Sequence, residues 1–158
     1  MKGIKQFLVI LLLFFAVSCA DNSKKNPDTD VETKLYGELL TADEANNVFG
    51  PVFVKVEIPT DTLRNFTSKS GELMMFRLKE SLIIADQNRI AIYPPDAKIS
   101  EKDTFTVYHT SKVLELINAG KSSQTFVEQR DEKLTITNGI QTLEFGAWCP
   151  PYCTPTTK

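Results

Sequence analysis

Two β-prone runs, Lys133-Leu-Thr-Ile-Thr137 and Ile140-Gln-Thr-Leu-Glu-Phe145, are separated only by Asn138-Gly139. No other stretch constrains the chain as tightly. Two strands joined across two residues must be antiparallel neighbours, and Asn-Gly supplies the positive φ that a type I′ turn requires. The expected register sets Thr137 against Ile140, Thr135 against Thr142, Leu134 against Leu143 and Lys133 against Glu144. Threonines, leucines and opposite charges would then face one another.

Further β signals precede this hairpin. Val52 to Ile58 alternates, with Val52, Val54, Val56 and Ile58 on one side and Lys55 and Glu57 on the other, the pattern of a strand with one wet face. Glu72–Lys79, Ser81–Ala85, Arg89–Tyr93, Thr104–Thr110 and Thr125–Gln129 read as more strands, punctuated by Asp86-Gln-Asn88 and Pro94-Pro95-Asp96. Two helices are expected. Thr41 and Glu44 form a capping box ahead of Ala45, Val48 and Phe49, and Gly50-Pro51 ends that helix. Ser111 is the expected cap of the second, whose stripe is Val113, Leu114, Leu116 and Ile117 before Gly120. Pro59 to Ser70 reads as a polar loop containing Asn65-Phe66-Thr67, formally a glycosylation acceptor. No internal repeat is visible. The expected fold class is α+β, a mostly antiparallel β-sheet of about seven short strands with two short helices. Open sheet and barrel fit the pattern equally.

The amino terminus fixes an address. Lys2 and Lys5 precede an unbroken apolar run from Phe7 to Val17, followed by Ser18, Cys19 and Ala20. Charge, grease and small residues in that order are a secretory signal, and the run is too short to span a bilayer as a helix. Ala16-Val17-Ser18-Cys19 resembles the lipobox of bacterial lipoproteins, with Ala16 where that family prefers leucine. The resemblance implies cleavage before Cys19, lipid on its sulfur, and a membrane-anchored protein of the bacterial cell envelope. An ordinary cut after Ser18 or Ala20 would instead leave a free secreted protein. The organisation that follows is a signal at 1–18, a lipidated cysteine and flexible tether at 19–34, one β-rich domain at 35–153 and a disordered tail at 154–158. The tether assignment rests on Ala20 to Lys34, which carry no aromatic residue and too little apolar surface to offset ordering entropy.

Loss of Lys2 and Lys5 with the signal takes the formal charge from −2 to −4, 16 basic against 20 acidic residues. That balance, without a basic stripe, argues against a nucleic-acid partner. In an oxidising compartment Cys149 and Cys153 are expected to form a disulfide. Trp148-Cys-Pro-Pro-Tyr-Cys153 is similar to thioredoxin-like motifs, but three residues separate its cysteines where that motif has two. It is also similar to the cysteine pair of copper-delivering assembly proteins, yet the only histidine, His109, lies upstream. A closed zinc site would need a fourth ligand beyond the two cysteines and His109. No cofactor or metal is therefore expected. His109 alternates with Phe105 and Val107 and is expected to be a satisfied residue at a sheet edge. No nucleophile elbow or phosphate-cradling glycine loop occurs, and no catalytic residue is assigned. Trp148 and Tyr152 could form an aromatic contact for an envelope protein or glycan. The expected role is non-enzymatic binding or structure at the envelope. Metal or thiol handling through Cys149 and Cys153 is the alternative.

Overall fold

A computed structural model describes residues 36–131, 133–144 and 146–149. The elements within them are β1 (Glu38–Thr41), α1 (Ala42–Phe49), β2 (Val52–Pro59), α2 (Thr60–Ser70), β3 (Leu73–Leu78), β4 (Leu82–Ala85), β5 (Ala91–Tyr93), β6 (Phe105–His109), α3 (Thr110–Ala119), β7 (Gln124–Arg130), β8 (Lys133–Thr137), β9 (Gln141–Glu144) and β10 (Ala147–Cys149). The strands make two five-stranded sheets, β1-β9-β8-β7-β2 and β10-β6-β3-β4-β5, and every described pairing is antiparallel. The α+β class holds, with ten strands and three helices among the described residues instead of about seven and two.

The order of the strands contains a repeat that the residues do not advertise. Strand, helix and three-stranded meander occur twice, as β2-α2-β3-β4-β5 and as β6-α3-β7-β8-β9. Each unit lends its first strand to the other's meander: β2 pairs with β7, and β6 pairs with β3. The clasp is reciprocal. The first residue of α2, Thr60, donates its N–H to the Ser123 carbonyl at 2.9 Å, and the first residue of α3, Thr110, donates to the Glu72 carbonyl at 2.9 Å. Each acceptor lies just before the meander that receives the exchanged strand. Both units place a large buried residue two positions before the threonine (Ile58, Tyr108) and another three after it (Leu63, Val113). Threonine is the sole identity across the six positions from 58 to 63 and from 108 to 113. The expectation of no repeat therefore fails on structure, while the sequence remains silent.

One apolar cluster joins the inner faces of both sheets to α2 and α3, through Ile58, Leu63, Phe76, Ile84, Tyr108, Leu116, Ile136 and Leu143 among others. A second covers the outer face of the β3 sheet, where Leu73, Met75, Ile83, Phe105, Val107 and Cys149 pack beneath Tyr36, Ala97 and Ile99. Burial on both faces explains the continuous apolar runs of β3 and β4, which an alternating strand would not show.

Three local expectations need correction. Residues 60–70 form a helix, not a loop. Its inward face is Thr60, Leu63, Thr67 and Ser70, helical in spacing but carried mostly by hydroxyls, which a search for apolar residues passes over. Those hydroxyls find partners nearby: Thr67 donates to the Arg64 carbonyl at 2.7 Å and Ser70 to that of Thr67 at 3.0 Å. The hairpin register is also different. Ile136 pairs with Leu143 and Thr137 with Thr142, a shift of two residues that leaves every side chain on its expected face. The cause is Asn138. Its side-chain N–H donates to the Leu116 carbonyl of α3 at 2.8 Å, and its Oδ1 accepts the N–H groups of Ile140 at 2.9 Å and Gln141 at 2.8 Å. Asn138 thus ends β8 as a buried anchor, and Gly139 (φ 88°) and Ile140 become the loop. Third, His109 and not Ser111 occupies the cap position of α3, and it makes no side-chain cap bond. In the first helix the capping box is present as expected, with Glu44 N–H on Thr41 Oγ1 at 3.2 Å and Thr41 N–H on Glu44 Oε2 at 2.8 Å.

Asn138→Ala should lower the unfolding free energy by about 2–3 kcal/mol, because it strands a buried carbonyl and two turn amides. Denaturant unfolding with an unchanged m-value would show this; a loss below about 0.5 kcal/mol would contradict the anchoring role.

Candidate functional site

Among the described residues strand β2 closes one side of its sheet and pairs only with β7. Its hydrogen-bonding parity follows from its end: Thr60 donates to Ser123, so in antiparallel alternation the even-numbered residues 54 to 58 turn their backbone groups to β7. The N–H and C=O groups of Lys55 and Glu57, and the carbonyl of Pro59, therefore face away from the sheet. The same alternation, carried across β7 and β8, agrees with the Asn138 N–H to Gln141 carbonyl bond at the far hairpin.

The repeat makes this edge informative. β6 is the counterpart of β2, and its outward edge is covered: Phe105 pairs with Cys149, Thr106 with Trp148 and Val107 with Ala147 of β10. The outward N–H of His109 is satisfied too, by the Tyr36 carbonyl at 2.9 Å. Its counterpart on β2 is Pro59, which has no N–H to satisfy. The stretch matching Phe105–Val107 is Lys55–Glu57, and no described strand lies against it. Beside it runs a narrow cavity of about 80 Å³ walled by Val56, Ile58, Phe66, Leu82 and Tyr93. Phe53 (66 % exposed) and Ile90 (64 % exposed) are further apolar surface, the first on β2 itself. Unpaired backbone beside an apolar groove is what an extended peptide needs in order to add as a further strand.

The outer face of the β2 sheet holds a dense cluster of charge. Arg130, nearly fully buried, donates to Glu128 Oε2 at 3.0 Å, to Asn46 Oδ1 at 2.7 Å and to the Gly50 carbonyl at 2.7 Å. It thereby ties α1 to the sheet, and Gly50 (φ 75°) makes the turn that presents its carbonyl. Lys55 Nζ reaches Glu128 Oε1 at 3.3 Å and lies 3.8 Å above the Phe126 ring. Glu144 is 1 % exposed, and neither carboxylate oxygen has a hydrogen-bond partner among the described residues. Burial, opposed by Arg130 and Lys133 and reinforced by Glu128, pushes its carboxyl up to about 7. Such a group has the proton affinity of a general acid or base, but it lines neither the groove beside β2 nor a second cavity of about 140 Å³. That second cavity is floored by Phe76 and Leu134 and rimmed by Arg77, Lys79, Thr104 and Gln129.

The sequence-derived candidates are scattered. Cys149 lies in β10, buried, with its sulfur accepting from Arg89 at 3.3 Å; the same guanidinium holds the Ser100 and Asp103 carbonyls. Cys19, Tyr152 and Cys153 fall outside the described residues, and of Trp148 only its backbone pairing with Thr106 is described. His109 is satisfied, as expected, though β6 is an interior strand. Its Nδ1 accepts the Tyr36 N–H at 2.6 Å, and burial, against a smaller opposite pull from Glu72, lowers its pKa. Cys149 sits opposite Phe105, four residues from His109 along β6, a separation of about 13 Å that rules out a shared metal ion. Among the described residues no three His, Cys, Asp or Glu side chains are grouped to hold a metal. The open edge was missed because Val52 to Ile58 reveals a strand but not its neighbours. Compared with protein-family models, curated proteins and solved structures, the chain matches none.

Glu144 gives a pH signature. Its folded pKa of about 7 exceeds the ordinary 4.5, so the folded state favours the proton: stability is full below about pH 4.5 and falls as pH rises through 7. The loss should be on the order of 2 kcal/mol once solvent screening is allowed for. Glu144→Gln should remove that decline in unfolding measured from about pH 5 to 8; an unchanged slope would contradict a buried, ionisable Glu144.

Proposed function

We propose that the chain is an exported lipoprotein, anchored to a bacterial envelope membrane through Cys19, whose folded domain binds an extended polypeptide segment along the open edge of β2. One observation carries the binding half: among the described residues the equivalent edge of β6 is covered by β10, and that of β2 is bare. An incoming strand would gain the Lys55 and Glu57 backbone groups as partners and set alternate side chains over Val56, Ile58, Phe66 and Tyr93. This is binding, not catalysis. Its specificity would come from the groove and its affinity from main-chain hydrogen bonds.

The anchor half rests on the signal and on the Ala16–Cys19 resemblance. Two or three acyl chains at about 0.8 kcal/mol per buried CH₂ would hold the domain at the membrane permanently. In that oxidising setting a Cys149–Cys153 disulfide would secure the chain just after β10, keeping the β6 edge filled. Trp148, within β10, and Tyr152, four residues on in sequence, are the contact for a protein or glycan that the sequence offers.

Hydrogen exchange tests the binding half. Lys55 and Glu57 amides should exchange rapidly in dilute purified protein and at least about tenfold more slowly in intact envelope membranes, while even-numbered β2 amides stay protected in both. Equal exchange of Lys55 and Glu57 in the two settings would sink it. For the anchor, mass spectrometry should find an acylated Cys19 at the mature terminus, and Cys19→Ser should move the protein to the soluble fraction. A mature chain starting at Asp21, or an unmodified Ala20, would refute it.

A further inference from the structure

We propose that the strand received by β2 is β2 of a second copy, paired antiparallel about Val56. This rests on the edge-binding reading above and names its partner. The argument is self-complementarity. An antiparallel pair related by a two-fold axis through Val56 sets Lys55 of one copy opposite Glu57 of the other, twice over. Both residues are exposed, and both turn their backbone N–H and C=O groups to the free edge. Lys55 and the second copy's Glu57 thus form a hydrogen-bonded pair on backbone and an opposite-charge pair on side chains. Val56 meets its own equivalent at the non-hydrogen-bonded position between them, and Val54 meets Ile58. Pro59, whose missing N–H ends the run, falls at the periphery, where a proline is tolerated.

No other described edge offers this. β1, β5 and β10 are also terminal but have only four, three and three residues. β2 has eight, and its two free-edge charges are of opposite sign at positions i and i+2. That spacing satisfies a two-fold axis, since residue i then faces residue i+2 of the second copy. Edge strands defended against self-association typically carry charges that repel their own kind or disrupt pairing, whereas here self-pairing is attractive. The contact is short and falls below the roughly 1,200 Å² of a stable interface. The pair is accordingly weak in free solution and fills when anchoring confines copies to one surface, where effective concentrations reach the ~mM range.

The test uses the full acylated protein on vesicles of neutral phospholipid. Val56→Cys should form an intermolecular 56–56 disulfide under mild oxidation, identified by mass spectrometry of the linked peptide. Non-hydrogen-bonded antiparallel positions have a Cα separation that accepts such a bond. Glu38→Cys, exposed on β1 at the opposite edge of the same sheet, should not form one at comparable yield. Glu57→Lys and Lys55→Glu, each built into Val56→Cys, should reduce the yield about tenfold alone, because like charges then oppose. Mixed together they should restore it, because the two lysines of one variant then face the two glutamates of the other. The proposal is overturned if Val56→Cys links no better than Glu38→Cys, or if the mixture links no better than either variant. If crosslinking fails while Lys55 and Glu57 amides remain protected in envelope membranes, the self-pair falls and the edge still binds a different strand. If that protection is absent as well, both readings fall.

Discussion

The reciprocal exchange of β2 and β6 is the constraint from which the rest follows. Each three-stranded meander takes its fourth strand from the other unit, so neither sheet is completed by its own unit alone. The two bonds that seat the exchanged strands, Thr60 to Ser123 and Thr110 to Glu72, join residues 63 and 38 positions apart. Contacts so distant in sequence carry a loop-closure entropy cost that local contacts do not. The helices follow each exchanged strand across from one sheet to the other, which is why α2 and α3 both feed the common apolar cluster.

The two sheets use their outer faces differently. The face around Phe105 is apolar and roofed by the segment carrying Ala97 and Ile99, beside which Arg89 clamps the Ser100 and Asp103 carbonyls. The face around Arg130 is ionic and tied to α1. Burying Arg130 is tolerable because Glu128, Asn46 and Gly50 take up its donors. Glu144 has no such compensation among the described residues, and its raised pKa is the expression of that deficit. The sheet edge inherits a consequence: Lys55 belongs both to this ionic network, through Glu128, and to the open side of β2.

Much of the local structure was legible. The strand at Val52–Ile58, the capping box at Thr41 and the stripe ending at Ile117 all became the elements expected, because each depends on neighbours within a few residues. A β-bulge between Val52 and Val54, however, takes Val52 off the face that Val54, Val56 and Ile58 share. The failures have a common cause. In α2 the inward face is written in threonine and serine, which become acceptable in a core only once Ser122, Thr125 and Thr110 supply partners. At the hairpin Asn138 answers to Leu116, 22 residues away, so local turn preference gave way to a tertiary bond. Ala147–Cys149 is not among the expected strands because the edge it covers, on β6, lies about 40 residues upstream and leaves no mark in the local pattern.

By itself the sequence determined the antiparallel class and the strand that became β2. Those are short-range statements, fixed by side-chain period and turn residues. Only the tertiary structure decided that the domain is two interlocked units, and that one of two equivalent edges is covered while the other has no described strand against it. The physical reason is that a strand's residues specify which face is buried, whereas its neighbours are chosen by backbone groups that nearly every residue carries alike.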